Sequence, residues 1–158
     1  MPRHSATLNE VPAVGDGKRG EQGHIGYLLR QAHTAHRHAM ERALSAFGLT
    51  PPQFSVLTML VAYPGASGAD IARLSMLTPP TVSVIVANLE RMGAIARIPH
   101  AVHGRVLQIE VTPSGNDLLT QCRSSVDAID HALLASLSPD QKQVVRRWLV
   151  WIAGELHA

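Results

Sequence analysis

The chain is short of cysteine, of aromatic residues and of lysine, and each shortage excludes something. A single cysteine, Cys122, rules out an intrachain disulfide, so a reducing, cytoplasmic setting is the expectation. Aromatic residues make up 4% of the chain, too few for a platform that stacks single-stranded bases. Lys18 and Lys142 are the only lysines. The remaining basic residues are arginines, whose planar forks suit phosphate and guanine. No apolar run approaches the roughly 18–20 residues needed to span a bilayer. The first 23 residues lack the apolar core of a secretory signal. Catalytic signatures are missing too: there is no G-x-S-x-G, no P-loop, no Rossmann glycine pattern and no carboxylate pair at catalytic spacing. The chain is therefore expected not to be an enzyme and to carry no cofactor.

What remains is a globular composition. Of 158 residues, 46% are apolar and 16% charged, which suits one domain. The formal charge is +2 with histidines neutral, compatible with a nucleic-acid partner. Residues 1–23 hold prolines, glycines and mixed charge without an apolar period, and are expected to form a flexible tail. Residues 24–158 are expected to form a single domain.

Helix starts are clearly marked. Thr50-Pro51-Pro52-Gln53, Ser67-Gly68-Ala69-Asp70 and Ser138-Pro139-Asp140-Gln141 are capping boxes. Thr78-Pro79-Pro80 and Thr112-Pro113 are further starts, and Gly48, Gly65 and Gly93 stand where left-handed C-terminal caps are needed. The pattern predicts helices over about 24–47, 51–63, 68–74, 79–92, 113–136 and 139–156. Two short strands are predicted over about 95–98 and 105–111, with the turn at 100–104. In the fourth helix, Val82, Ile85, Val86, Leu89 and Met92 recur as a buried stripe. Leu107, Ile109 and Val111 alternate with polar neighbours, the period of a half-buried strand. Apolar seams on the first and last two helices exceed what a small core can cover. They include Leu118 to Leu137 on the fifth helix and Val144 to Ile152 on the sixth. A second copy of the chain is the expected cover.

The fold class is thus mainly α with a small β-hairpin. Short helix, turn, helix and hairpin follow the order of a winged helix-turn-helix, in which the second helix enters the major groove. Three segments carry a family resemblance: GLTPPQFSVLTML (48–60), GADIARLSMLTPPTVSVIVANLERMGAI (68–95) and GRVLQIEVTPSGNDLL (104–119). Their order and spacing resemble the MarR family of bacterial transcriptional regulators. The resemblance implies long N- and C-terminal dimerisation helices (24–47 and 113–156) around a DNA-binding part (48–112). It also implies a homodimer on a pseudopalindromic operator, acting as a repressor, and release by a small aromatic or phenolic effector.

Carried over residue by residue, the resemblance makes Thr78, Thr81, Ser83, Val84 and Asn88 the exposed positions that meet DNA. Hydroxyls of Thr81 and Ser83 suit phosphates or base edges, Val84 a thymine methyl, and Asn88 a bidentate adenine contact. Arg105 matches the family's wing arginine, with His103 where the family usually has an aspartate. Arg73 and Arg97 are further phosphate candidates. The segment Thr78–Leu89 is uncharged, whereas relatives often carry a basic residue where Val84 and Asn88 stand. Base reading is therefore expected to lean on methyl contacts and DNA shape.

The resemblance puts an effector between the first, second and fifth helices, with His33, His36 and Phe54 as lining candidates. Two alternatives stay open. One is a winged-helix protein-interaction module without DNA binding. The other is a metal-responsive regulator using His33, His36 and His38, although zinc asks for three or four ligands in a pattern not visible here. Cys122, inside an apolar seam, is expected to be core.

Overall fold

The computed structural model describes residues 11–99 and 107–156. The elements run α1 (Ile25–Ser45), α2 (Pro51–Ala62), α3 (Gly68–Leu74), α4 (Pro79–Arg91), β1 (Ile95–Pro99), β2 (Leu107–Val111), α5 (Pro113–Leu134) and α6 (Pro139–Glu155). The chain divides into two compact units, with the boundary between His38 and Ala39.

In the first unit the tail segment contains a feature not read from sequence, a single 3₁₀ turn at Gly17–Arg19. The Arg19 guanidinium donates to the Pro12 carbonyl at 3.1 Å. On α1, Gln31 Nε2 donates to the Tyr27 hydroxyl at 2.6 Å. The Arg30 guanidinium lies over the Tyr27 ring at 5.8 Å, within cation–π range.

In the second unit the helix starts follow the local chemistry. Thr50, Ser67 and Ser138 accept the amide three residues on, and Gln53, Asp70 and Gln141 return the bond. Two otherwise orphaned donors are satisfied at each start. Thr78 and Thr112 accept the forward bond only. Gly48, Gly65 and Gly93 all have positive φ, as the predicted left-handed turns require.

The core gathers Leu44 from α1, Val56 and Leu57 from α2, Ile71 from α3, Val82 and Leu89 from α4, and Cys122 from α5, all essentially inaccessible. Each large aliphatic side chain removed from water contributes about 1.5–3 kcal/mol. Burial pushes the Cys122 thiol above its ordinary pKa, because the thiolate is the form that loses hydration. Cys122 should therefore resist iodoacetamide at pH 8 in the native protein and react once denatured. Stoichiometric labelling of the native form within minutes would refute this.

β1 and β2 pair antiparallel, Ile95 opposite Val111 through Pro99 opposite Leu107. The Thr112 hydroxyl donates to the Gly93 carbonyl at 2.6 Å, and the Thr112 amide to the Ala94 carbonyl at 3.0 Å. The start of α5 is thereby fastened to the turn between α4 and β1.

Two expectations need correction, at Met92 and at the end of α1. Met92 shares the α4 period but is 42% exposed; the chain leaves the helix axis at Gly93 before that position can be covered. Leu133 and most of the α6 seam (Val144, Trp148, Leu149 and Trp151) stand exposed on the single chain, in keeping with the expectation that the small core leaves this surface uncovered. α1 ends at Ser45 because Phe47 and Leu49 fold their amides back onto the Leu44 carbonyl.

Candidate DNA interface

The turn between α3 and α4 positions the interface. Its Met76 has φ of 52°, a left-handed conformation that costs a residue with a Cβ about 1–2 kcal/mol. The Met76 side chain is 57% exposed, so little packing offsets that cost. Met76→Gly should raise stability by roughly 0.5–1 kcal/mol, the glycine's unfolded-state entropy taking back part of the gain. A thermal melt checks it, and a lower Tm would contradict it. Beside it, the Ser75 hydroxyl is buried without a hydrogen-bond partner.

α4 begins with a depleted set of amides. Pro79 and Pro80 have no N–H. The Thr81 amide donates to Thr78 Oγ1 and the Val82 amide to the Thr78 carbonyl. The first turn thus offers no free N–H to an incoming phosphate. Thr78 and Thr81 hydroxyls are bonded to each other at 2.8 Å. Ser83 Oγ donates to the Pro79 carbonyl at 3.0 Å, which leaves its lone pairs to accept.

The predicted contact residues share the outward side of α4. Thr78, Thr81, Ser83 and Val84 are exposed, Val84 at 62%, and Asn88 is half-buried. Asn88 differs from expectation in one respect. Its Oδ1 accepts from the Arg91 guanidinium at 2.9 Å, so the oxygen that a bidentate adenine contact needs is already engaged.

The two other arginines of this region face carboxylates. Arg73 pairs with Asp70. Hydrogen bonds from the Ser67 hydroxyl first, then Arg73 and the Ser67 amide, hold the Asp70 carboxyl below its ordinary pKa. Arg97 Nε lies 3.3 Å from Glu90 Oε2, joining β1 to the end of α4. Ser83, Arg97 and Ile109 line a hollow of about 190 Å³ between α4 and the hairpin. His103 and Arg105 lie outside the described residues.

The effector candidates are placed as follows. His33 is exposed and His36 half-buried on α1, and Phe54 on α2 is half-buried against the core. Among the described residues no three of His, Cys, Asp or Glu come together as a metal site would require. Sequence reasoning passed over Glu90 and Arg91. For Arg91 the signal was its i,i+3 spacing from Asn88; Glu90 meets Arg97 across the chain, where no local spacing announces it.

Known proteins share both pattern and geometry. The sequence pattern of the MarR family matches residues 47–106. The HTH-type transcriptional repressor Rv2887 of Mycobacterium tuberculosis is 36% identical over 125 residues, 79% of this chain and 90% of the relative. The chain belongs to the MarR family. As a MarR family member it is a DNA-binding transcriptional regulator with a winged helix-turn-helix. Solved structures superpose on it. Rv2887 in complex with salicylic acid gives a TM-score of 0.67 at 34% identity, covering 84% of this chain and 98% of that one. The MepR–DNA complex of S. aureus gives 0.76 at 28% identity, covering 83% and 97%. CouR of Rhodococcus jostii RHA1 bound to p-coumaroyl-CoA gives 0.77 at 25% identity, covering 84% and 93%. No helix among the described residues is long and apolar enough to cross a membrane.

Proposed function

We propose that this MarR family protein is a repressor that binds a pseudopalindromic operator as a homodimer and lets go when a small aromatic or phenolic effector binds. It does so in the cytoplasm and without catalysis. The observation that carries the DNA reading is the outward side of α4: Thr81, Ser83, Val84 and Asn88 stand exposed or half-exposed on a helix whose other side is fixed in the core. A helix so anchored presents its polar side to a groove as one rigid body. MepR, crystallised with DNA, has the same fold. Residues 48–112 form the DNA-reading part in this account, and Arg105 reaches the minor groove or backbone from the wing.

The dimer rests on uncovered apolar surface. Trp148, Leu149, Val150 and Trp151 on α6 and Leu133 on α5 stand exposed on the single chain. Such a patch marks an association surface, and two copies related by a twofold axis cover it symmetrically. The effector class rests on the relatives, crystallised with salicylic acid and with p-coumaroyl-CoA. His33, His36 and Phe54 are the proposed contacts.

Footprinting on DNA upstream of the protein's own gene, with and without salicylate, tests the proposal. The expected result is a protected site of two half-sites about one helical turn, roughly 34–36 Å, apart, lost on adding salicylate. Sedimentation should give twice the chain mass. A monomer, or protection that salicylate leaves intact, would remove the corresponding part.

A further inference from the structure

We infer that Asn88 and Arg91 form a phosphate clamp at the C-terminal end of α4, with Arg91 as a DNA-contacting residue. The inference rests on the DNA-binding reading above. Three observations lead to it.

The first is position. Thr81, Val84, Asn88 and Arg91 follow one another by three, four and three residues, which places them along one side of a helix. Arg91 is exposed there. It stands on the last turn of α4, about 15 Å along the axis from Thr81 at 1.5 Å per residue. A helix whose N-terminal part lies among base edges brings its other end to the flanking backbone, as the end of a homeodomain's third helix does.

The second is charge. Across α3, α4 and β1 there are three basic residues: Arg73, Arg91 and Arg97. Arg73 is paired with Asp70 and Arg97 with Glu90. Arg91 is held instead by a neutral amide oxygen, at 2.9 Å. That bond orients the guanidinium without cancelling its charge. Asn88 in turn keeps its Nδ2 protons, so the guanidinium and the amide together offer several donors to phosphate oxygens.

The third is need. Many DNA-binding helices meet phosphate with the free amides of their first turn. In α4 those amides are missing at Pro79 and Pro80 and engaged at Thr81 and Val82. With no charge between Thr78 and Leu89, the helix gains its anchoring contact from the far end.

The test is a salt titration between about 50 and 200 mM. It uses a duplex enriched by the protein from a random pool, beside a scrambled duplex. Each phosphate contact adds about 0.9 to the slope of log affinity against log salt. Arg91→Ala should lower that slope by about 0.9 per protomer and weaken both duplexes by the same factor. Arg91→Lys should restore the slope. Asn88→Ala should weaken binding while keeping most of the slope, because the charge remains and only its orientation is lost. An unchanged slope in Arg91→Ala, with the wild type binding steeply, would overturn the clamp and leave the DNA reading standing. A loss confined to the enriched duplex would overturn it in favour of base contact. Wild-type protein without salt-dependent binding would overturn both.

Discussion

Val84→Glu should abolish operator binding and leave the fold intact. Val84 is 62% exposed, and a surface substitution of this kind shifts stability by no more than about 0.5 kcal/mol. Its effect on DNA is large for two reasons. The carboxylate would stand in the groove between two phosphate backbones, and like-charge juxtaposition at an interface costs several kcal/mol. No positive charge between Thr78 and Leu89 offsets it. The apolar contact with a thymine methyl is lost as well. We expect at least a hundredfold weaker binding, since about 2.8 kcal/mol corresponds to that factor. Unchanged thermal denaturation alongside lost anisotropy change confirms it. Binding within threefold of wild type would mean that this side of α4 does not meet DNA.

Gly115→Ala is expected to have the largest effect on stability. Gly115 is buried in the first turn of α5. A Cβ there would stand 2.1 Å from the Ala94 carbonyl oxygen and 2.9 Å from Val111 Cγ1. The first of these is backbone, and it already accepts the Thr112 amide, so it cannot swing aside. To admit one methyl group, α5 must move away from the turn joining α4 to β1. Overpacking of this kind costs about 3 kcal/mol. The shift also displaces β1 from α4, so DNA binding should weaken even in the folded fraction. Gly154→Ala is the control, because a Cβ there meets nothing within 4 Å. It should be neutral or slightly stabilising. Equal melting temperatures for the two variants would contradict the close approach at Gly115.

The difference between these glycines shows what the sequence could and could not reveal. Features set within a few residues were legible. Ser67 and Asp70, or Ser138 and Gln141, cap a helix through bonds that span three residues, so their spacing announces them. The apolar period of α4 was legible for the same reason, and it failed at Met92, where the backbone turns. Contacts across the chain were not legible. Nothing around Gly115 reveals that the Ala94 carbonyl lies against it. Nothing in methionine signals the positive φ at Met76, where a glycine would have done so. In the interface, the positions Thr81, Val84 and Asn88 came from helical spacing and family pattern. The engagements of Asn88 with Arg91, Arg73 with Asp70 and Arg97 with Glu90 depend on side-chain rotamers that spacing alone permits without choosing.

The central claim is that α4 and the hairpin read double-stranded DNA. Its most direct test is equilibrium binding of the purified wild-type protein to its enriched duplex and to scrambled DNA at about 50 and 200 mM salt. A dimer making about six to ten phosphate contacts should lose roughly a thousandfold or more in affinity across that range, and should prefer the enriched duplex at both concentrations. Absence of binding to either duplex at the lower salt would contradict the account and point to a winged helix that engages protein instead.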